Sequence, residues 1–409
     1  MSTFWQVITR EEAQGLFADL KSVETEEISI QEAVGRVLGT DIISKVNVPH
    51  FRRSNMDGYA LRAEDTYGAT ENSPVQLTIV ENIQMGEEPG LALSPGQASQ
   101  IATGGMLPRG ADAMVMVEYT DRIEENVVKV KRAVAPGEHI VSIGEDIRAG
   151  ETVLRKGRKL KPYDIAALAA IGTMVTLVFR QPRVAILSTG NEIVPPNTEP
   201  APAKIRGTNL YTLAALTETF GGRAVDFGLV RDDPDQLHDT VCRALETCDI
   251  VAISGGSSVG TQDMTLGVIR SIQADGVLAH GVAIRPGKPT ILALARGKPV
   301  IGLPGHPVSA SIVFEMLVKP IINCLMETTE TIAEVATIRA RLSQNIPSPS
   351  GREDYVRVSL RSEGDQWWAD PVLGKSGTIS TMTKADGLVK IDLELEGLEQ
   401  GQWVEVKPL

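Results

Sequence analysis

Cysteine is scarce in this chain. Cys242, Cys248 and Cys324 are the only three in 409 residues, and no two of them stand at CxxC spacing. An odd, scattered set excludes a disulfide framework and a cysteine-ligated zinc centre. Buried, reduced thiols fit better, and with them a reducing cytoplasm. Neither His280 nor His306 has a second histidine or cysteine at ligand spacing, so packing or hydrogen-bonding roles are expected of both. Positive charge is also in deficit: 40 Lys and Arg face 52 Asp and Glu, a net charge of −12. That excludes duplex nucleic acid as the main ligand while leaving room for a local basic pocket. An acidic protein that handles anions must focus Arg and Lys side chains or recruit metal ions. The opening MSTFWQVITREEA has no basic segment followed by an apolar stretch, so no signal peptide is expected. No run approaches the ~20 apolar residues of a membrane helix. Internal repeats, low-complexity tracts and coiled-coil heptads are lacking too.

What is present points to several domains. A chain of 409 residues exceeds one ordinary core, so two to four domains are expected. Hydrophobic content of 42% beside 22% charged residues is that of a soluble globular protein. Thr9-Arg10-Glu11-Glu12 and Ser29-Ile30-Gln31-Glu32 each match a capping box, which predicts helices over 13–20 and 33–38. Between Val46 and about Val141, short alternating runs such as 76–80 and 127–130 are broken by Gly, Pro and Asn, the pattern of a small barrel or sandwich. Lys161-Pro162-Tyr163-Asp164 opens a helix that ends at Gly172. From Pro182, strands (183–187, 224–230, 250–254, 290–295, 299–303) alternate with helices (209–220, 234–246, 264–272, 309–326). That order predicts a doubly wound α/β domain with ligands beyond the carboxyl ends of its strands. After about Thr329 the pattern is β again, and Trp367 and Trp368 should fall on opposite faces of a strand.

The most informative stretch is Gly255-Gly256-Ser257-Ser258-Val259-Gly260, with Asp263 three residues on. It follows the apolar run Ile250-Val251-Ala252-Ile253, a buried strand. A strand that ends in glycines and hands over to a helix lets the backbone approach an anion and aims free N–H groups at it. Asp263 could hold a metal or position a substrate beside that cradle. The spacing matches neither GxGxxG with a ribose-binding acid nor GxxxxGK[ST], so dinucleotide and P-loop readings are weak.

Several motifs occur in one fixed order. They are Ser54-Asn55-Met56-Asp57-Gly58-Tyr59-Ala60, Thr103-Gly104-Gly105, Gly144-Glu145-Asp146, Ser188-Thr189-Gly190-Asn191-Glu192 and Arg231-Asp232-Asp233-Pro234, followed by the glycine loop with Asp263. Arg285-Pro286-Gly287-Lys288-Pro289 and Leu303-Pro304-Gly305-His306-Pro307-Val308-Ser309-Ala310 complete the series. Together they resemble the MoeA-type molybdopterin molybdenumtransferases, the family that includes the E domain of gephyrin, over nearly the whole chain. MDGYA, PGKP and LPGxPVSA in this order are specific; any one alone is weak.

The resemblance implies an elongated linker domain (1–45 and 142–180), an inserted β-rich domain (46–141), a MogA-like α/β domain (181–328) and a C-terminal β-barrel (329–409). It implies a homodimer whose cleft lies between the α/β domain of one subunit and the inserted domain of the other. It also implies a reaction: adenylylated molybdopterin and molybdate bind, AMP leaves, and molybdenum enters the dithiolene, with Mg2+ required. A MogA-type adenylyltransferase upstream and molybdoenzyme assembly proteins downstream are the implied protein partners.

On these motifs Asp57, Asp146, Glu192, Asp232 and Asp263 are the candidate catalytic carboxylates. Asp232 and Asp263, with Glu192, are the expected metal holders, and Asp57 and Asp146 are expected to reach the cleft from the second subunit. Each also has a plainer role open to it. Asp233 or Asp232 could cap a helix, Asp57 and Asp146 could be turn residues, and Asp263 could be an N-cap. Arg285 and Lys288 are the expected anion grips, a planar fork and a point charge. Thr103, Thr189, Ser254, Gly255, Gly256, Ser258, Ser309, Arg352 and Ser376 are the expected substrate contacts, and Pro304 and Pro307 shape the loop that positions Ser309. Gly207, Gly281, Arg285, His306, Val141-Ser142-Ile143 and Arg52-Arg53 depart from common family residues, which redistributes positive charge and leaves molybdate against tungstate undecided. The readings that compete are a tungstate-specific homologue, a MogA-like adenylyltransferase and a scaffold of gephyrin E-domain type.

Overall fold

The computed structural model describes residues 7–255, 259–329 and 336–409, with the backbone alone for 259–263. The chain forms two compact units. One is Asp41–Lys156 with Pro162–Val175; the other is Met1–Thr40, Gly157–Lys161 and Thr176–Leu409.

The first unit is built on a six-stranded sheet in the order Ala113–Met116, Gly58–Leu61, Gln97–Ile101, Val75–Ile83, Val127–Val130, Thr120–Glu124. Side-chain alternation sends Tyr59 and Leu61 to one apolar cluster and Ala60 and Met114 to another, so the strand Gly58–Leu61 is buried on both faces. Gly58 has φ +157°, and a β-carbon on it would collide with the carbonyl oxygen of Val115 on the neighbouring strand. Only glycine permits that approach.

The second unit contains the doubly wound domain. Its sheet runs Arg223–Val230, Arg183–Thr189, Ile250–Gly255, Lys298–Leu303, Ile291–Ala295, Val277–His280, with the first four parallel and Ile291–Ala295 antiparallel to both of its neighbours. Val184, Ile186, Ile250 and Ala252 face a core shared with Leu213 and Val308, whereas Ala185, Leu187, Val251 and Ile253 face one shared with Leu237 and Ile269. Helices cover both faces, which is why these strands read as continuous apolar runs.

The helix expected at 309–326 begins earlier, at Pro307, and is interrupted by a π turn, Phe314–Val318, before Lys319–Leu325. Pro320 has no N–H to give the Met316 carbonyl four residues back. That carbonyl accepts Gln14 Nε2 instead, at 2.7 Å. Pro307–Leu325 also corrects the expectation of no long apolar run. Its 19 residues have a mean hydropathy of 1.6, enough by length and composition to cross a membrane, but 72% of the stretch is buried inside the fold as a core helix.

The C-terminal strands Ile338–Leu342, Glu353–Glu363, Gln366–Pro371, Gly387–Ile391 and Trp403–Pro408 close on themselves through the pairing of the second with the fourth, making a five-stranded barrel. Ala340, Leu342, Val358, Ala369, Val389 and Val406 fill it.

At the N-terminus Thr9 and Glu12 form the expected capping box, over a helix of Arg10–Gly15. The second box does not open a helix. Ser29 caps a single 3-10 turn, Ile30–Glu32. Gly35 follows at φ +81°, and Val37 and Leu38 go into bridges with Lys159 and Val178. Strand-like pairing there outcompetes a short helix that has little length over which to repay nucleation.

Gly58→Ala is expected to destabilise the protein by about 2–4 kcal/mol, because neither the backbone conformation nor the strand spacing can yield. Thermal melting of the variant checks this, and an unchanged midpoint contradicts it.

Candidate functional site

The chain-order reversal of the sheet falls between Arg183–Thr189 and Ile250–Gly255, the place where open α/β sheets form a crevice. The floor of that crevice is a web of small polar side chains. Ser188, Thr189 and Ser254 are 2%, 1% and 1% exposed. Ser188 Oγ lies 3.2 Å from Ser254 Oγ, and Asn209 Nδ2 donates to Ser254 Oγ at 2.8 Å and to the Gly305 carbonyl at 2.9 Å. One amide therefore ties the glycine-loop strand to the loop after Leu303. Gly255 lies directly against Thr189, and a β-carbon on it would strike the threonine backbone and hydroxyl. Gly256 and Ser258 lie outside the described residues, as does the side chain of Asp263, which stands in the helix Val259–Ile272.

Two strand-end loops are locked together beside this floor. Asn191 N–H donates to Asp232 Oδ2 at 3.1 Å, Asp232 N–H donates to Asn191 Oδ1 at 3.3 Å, and Lys204 Nζ holds the Asn191 carbonyl at 2.7 Å. Among the described residues Asp232 Oδ1 is buried without a hydrogen-bond partner. Helix capping falls to Asp233, which accepts from Gln236 N–H at 2.9 Å at the start of Pro234–Thr247. Glu192 is exposed, and its two carboxylate oxygens lie 2.8 and 2.9 Å from where a β-carbon on Gly190 would stand. Among the described residues no three His, Cys, Asp or Glu side chains are grouped to hold a metal. The open oxygen of Asp232 fits a cation as one donor. Gly207 is packed: a side chain there would meet Ile193 at 2.8 Å.

The cationic half of the site is a cleft of about 980 Å³ between the loops after the α/β strands and the barrel. Arg285, Lys288, His306, Arg352, Arg357 and Lys375 line it; among its described lining residues the one carboxylate is Asp354. That carboxylate is aimed at a cation. The two-residue strand Ile284–Arg285 pairs in parallel with Glu353 and Asp354. Arg285 Nη1 lies 3.1 Å from Asp354 Oδ2, and Ser348 Oγ donates to the same oxygen at 3.0 Å. Asp354 is nearly buried (side chain 8% exposed) while Arg285 stays 45% exposed, so the guanidinium is fixed at one edge and free to bind at the other. The Lys288 backbone is pinned through its carbonyl by Val282 N–H at 3.0 Å and Thr290 N–H at 2.9 Å.

Across the cleft, Ser376 Oγ lies 2.9 Å from His306 Nδ1, and Val308 N–H donates to the Ser376 carbonyl at 3.1 Å. Arg357 donates to Thr381 Oγ1 at 3.2 Å and to the Gly374 carbonyl at 3.1 Å, holding that loop in place. Burial pushes the Arg357 pKa below its ordinary value. Pro304 and Ser309 line the cleft, while Pro307 is not among its lining residues.

Behind Asp354 the next residue along the strand points the other way. Glu353 Oε2 accepts Arg10 Nε at 2.7 Å and Tyr355 OH at 2.7 Å. Burial alone would raise the Glu353 carboxyl, but the bonds from Arg10 and Tyr355 win and hold it below the usual carboxylate range. Burial, and then the bond to Glu353, raise the Tyr355 phenol. Alternation on one strand thus fixes two arginines on opposite faces.

In the first unit, Asp57 Oδ1 accepts the Thr103 N–H at 2.7 Å and the Thr103 hydroxyl at 2.8 Å. These two donors, the backbone one first, depress the Asp57 pKa. Asp146 is exposed, with its N–H on the Val48 carbonyl at 3.1 Å. Asn209, Asp354 and Arg357 were not among the residues singled out from sequence. The signal available for Asp354 was its place directly after Glu353 in a strand whose residues alternate faces.

Comparison with known proteins gives a consistent result. Residues 8–172 match the MoeA N-terminal region (domain I and II), 185–323 the "Probable molybdopterin binding domain", and 339–409 the MoeA C-terminal region (domain IV). The chain is 34% identical over 392 residues to a molybdopterin molybdenumtransferase of Bacillus subtilis, covering 94% of this chain and 90% of the relative. It is 36% identical over 340 residues to a protein of the same name from Nostoc, covering 82% and 77%. The crystal structure of a molybdopterin biosynthesis moeA protein from Pyrococcus horikoshii superposes with a TM-score of 0.84 at 33% identity, covering 98% of this chain and 100% of that one.

Two outcomes are expected. Thr103→Val removes one donor, so the Asp57 carboxyl should titrate at higher pH, read by NMR. Because its folded pKa is depressed, Asp57 contributes stability that is present above the ordinary aspartate range (about 3.9) and lost as pH falls through the folded value. The variant narrows that window, and an unmoved titration contradicts the assignment. Arg10→Ala leaves Glu353 buried with its main partner gone and should cost about 3–5 kcal/mol in chemical denaturation.

Proposed function

The chain belongs to the MoeA family, and on that premise we propose that it is a molybdopterin molybdenumtransferase of molybdenum cofactor biosynthesis. It takes adenylylated molybdopterin and molybdate, releases AMP and leaves molybdenum in the dithiolene. The observation that carries this reading is the cleft whose described lining gathers five Arg and Lys side chains around one carboxylate, in a chain of net charge −12. Molybdate is a dianion and its acceptor carries a diphosphate, so the pocket must concentrate positive charge that the rest of the molecule lacks.

The residues divide the task. Arg285, steadied by Asp354, offers a planar fork to an oxyanion, and Lys288 offers a point charge. Arg352, Ser309 and Ser376 line the same cleft and add donors. The floor of Thr189, Ser254 and Gly255 receives the pterin and phosphates, with Asn209 keeping it in register with the Gly305 loop. Asp232, through its open Oδ1, with Asp263 and Glu192, would hold Mg2+. Magnesium supplies neutralisation of the phosphate oxygens and a more electrophilic phosphorus. Glu192 orients water toward the pyrophosphate. The active species is a homodimer, in which Asp57 of the partner subunit and Asp146 of the partner subunit complete the acidic side and Thr103 holds Asp57 ionised. The protein works in the cytoplasm, a reading its three free thiols support, between a MogA-type adenylyltransferase and the proteins that load molybdoenzymes.

Purified protein given adenylylated molybdopterin, Mg2+ and molybdate should release AMP and form cofactor, whereas ATP with plain molybdopterin should not be consumed. Lys288→Ala should lower kcat/KM for molybdate by about 10- to 100-fold, the loss of one ionic hydrogen bond or two. Adenylylation of plain molybdopterin, or no AMP release under any condition, refutes the proposal.

A further inference from the structure

The outer face of the C-terminal barrel carries a feature that the cleft does not use. Ala340, Leu342, Ala369, Val404 and Val406 fill the barrel, so their sequence neighbours point outward. Arg341 stands opposite Trp403 on one flanking strand and Trp368 on the other. Arg339, two residues earlier, shares that face. Both guanidinium groups lie over the Trp403 ring, 4.6 Å from its centroid for Arg339 and 5.0 Å for Arg341. Trp403 is 40% exposed, Arg339 is exposed and Arg341 half-buried. Among the described residues neither arginine has an ion-pair partner, although Glu405 stands opposite Arg339 in the ladder. Arg361, the next cation along, is by contrast paired with Glu363 and Asp370. Arg341 Nε is buried with no acceptor among the described residues.

Stacking on an indole fixes the plane of a guanidinium and leaves its N–H edge available. The two arginines are two residues apart on one strand, so their Cα atoms stand about 7 Å from each other, the same-face spacing of any extended chain. We propose that the Arg339–Arg341–Trp403 face docks an extended acidic peptide segment of a partner protein, with carboxylates at alternate positions, one for each guanidinium. Charge complementarity decides the occupant. In a chain of net charge −12, two arginines gathered on one indole with no ion-pair partner among the described residues select for acid. The exposed indole between them supplies an anchor of the kind that dominates binding energy. A nucleic acid would bring its long run of phosphates against the overall negative field.

The test titrates the full-length protein into a fluorescein-labelled peptide of alternating Glu and Thr, and into its Gln-for-Glu counterpart, and follows anisotropy. The Glu peptide should bind, and more weakly as salt rises. The double variant R339Q/R341Q should lose at least about tenfold in affinity, and R339K/R341K an intermediate amount, because lysine keeps the charge without the fork. AMP release should be unchanged in both. Equal binding of the Gln peptide, unchanged affinity in the double variant, or preference for a single-stranded oligonucleotide or a second copy of the chain overturns the proposal. A Trp403→Leu variant that melts lower yet binds the Glu peptide normally overturns the indole's part in it.

Discussion

A two-residue parallel ladder joins the α/β domain to the barrel, and the site depends on it. Ile284 and Arg285 pair with Glu353 and Asp354. Because neighbours on a strand face opposite ways, one acid meets Arg285 at the cleft and the other meets Arg10 in the interior. Each carboxylate is nearly buried, and each would be costly without its partner. The ladder therefore sets the spacing between two halves of a pocket whose side chains come from segments far apart in the chain.

Charge is distributed with the same economy. A chain with an excess of acid gathers five Arg and Lys side chains at one cleft and keeps the neighbouring carboxylates turned to partners. Asp354 and Glu353 are turned to specific arginines. What remains facing the cleft is largely positive. The crevice floor follows the opposite rule: its hydroxyls are uncharged, buried and bonded to one another, so they define shape more than potential.

Much of the fold was legible because it rests on short-range pattern. Apolar runs gave the parallel strands, Gly221-Gly222 gave a helix end, and alternation gave the β-rich segments, whereas the closed C-terminal barrel came only from the family resemblance. Pattern failed where a competitor lay outside the window. The box at Ser29 looks like the one at Thr9, but Gly35 and the pairing of Val37 and Leu38 with distant residues cut it to one turn. Which of two adjacent aspartates caps and which is left open is decided by a hydrogen bond to Asn191, 41 residues away. Asp354 and Asn209 were invisible for a similar reason: their partners Arg285 and Gly305 stand 69 and 96 residues off in sequence. Motif reading singled out loops, and tertiary pairing decides which hydrogen bonds each residue within a loop makes.

The π turn before Pro320 has its own consequence. An additional residue within one turn rotates everything downstream about the helix axis, so the two ends of Pro307–Leu325 present different stripes of the same continuous rod. The leading end can stay phased to the loop that delivers Ser309, while the trailing end is phased independently to the interior around Ile321, Ile322 and Leu325. The interruption works as a mechanical phase shifter: it lets one element serve two angular demands that an unbroken spiral of that length would have to compromise between.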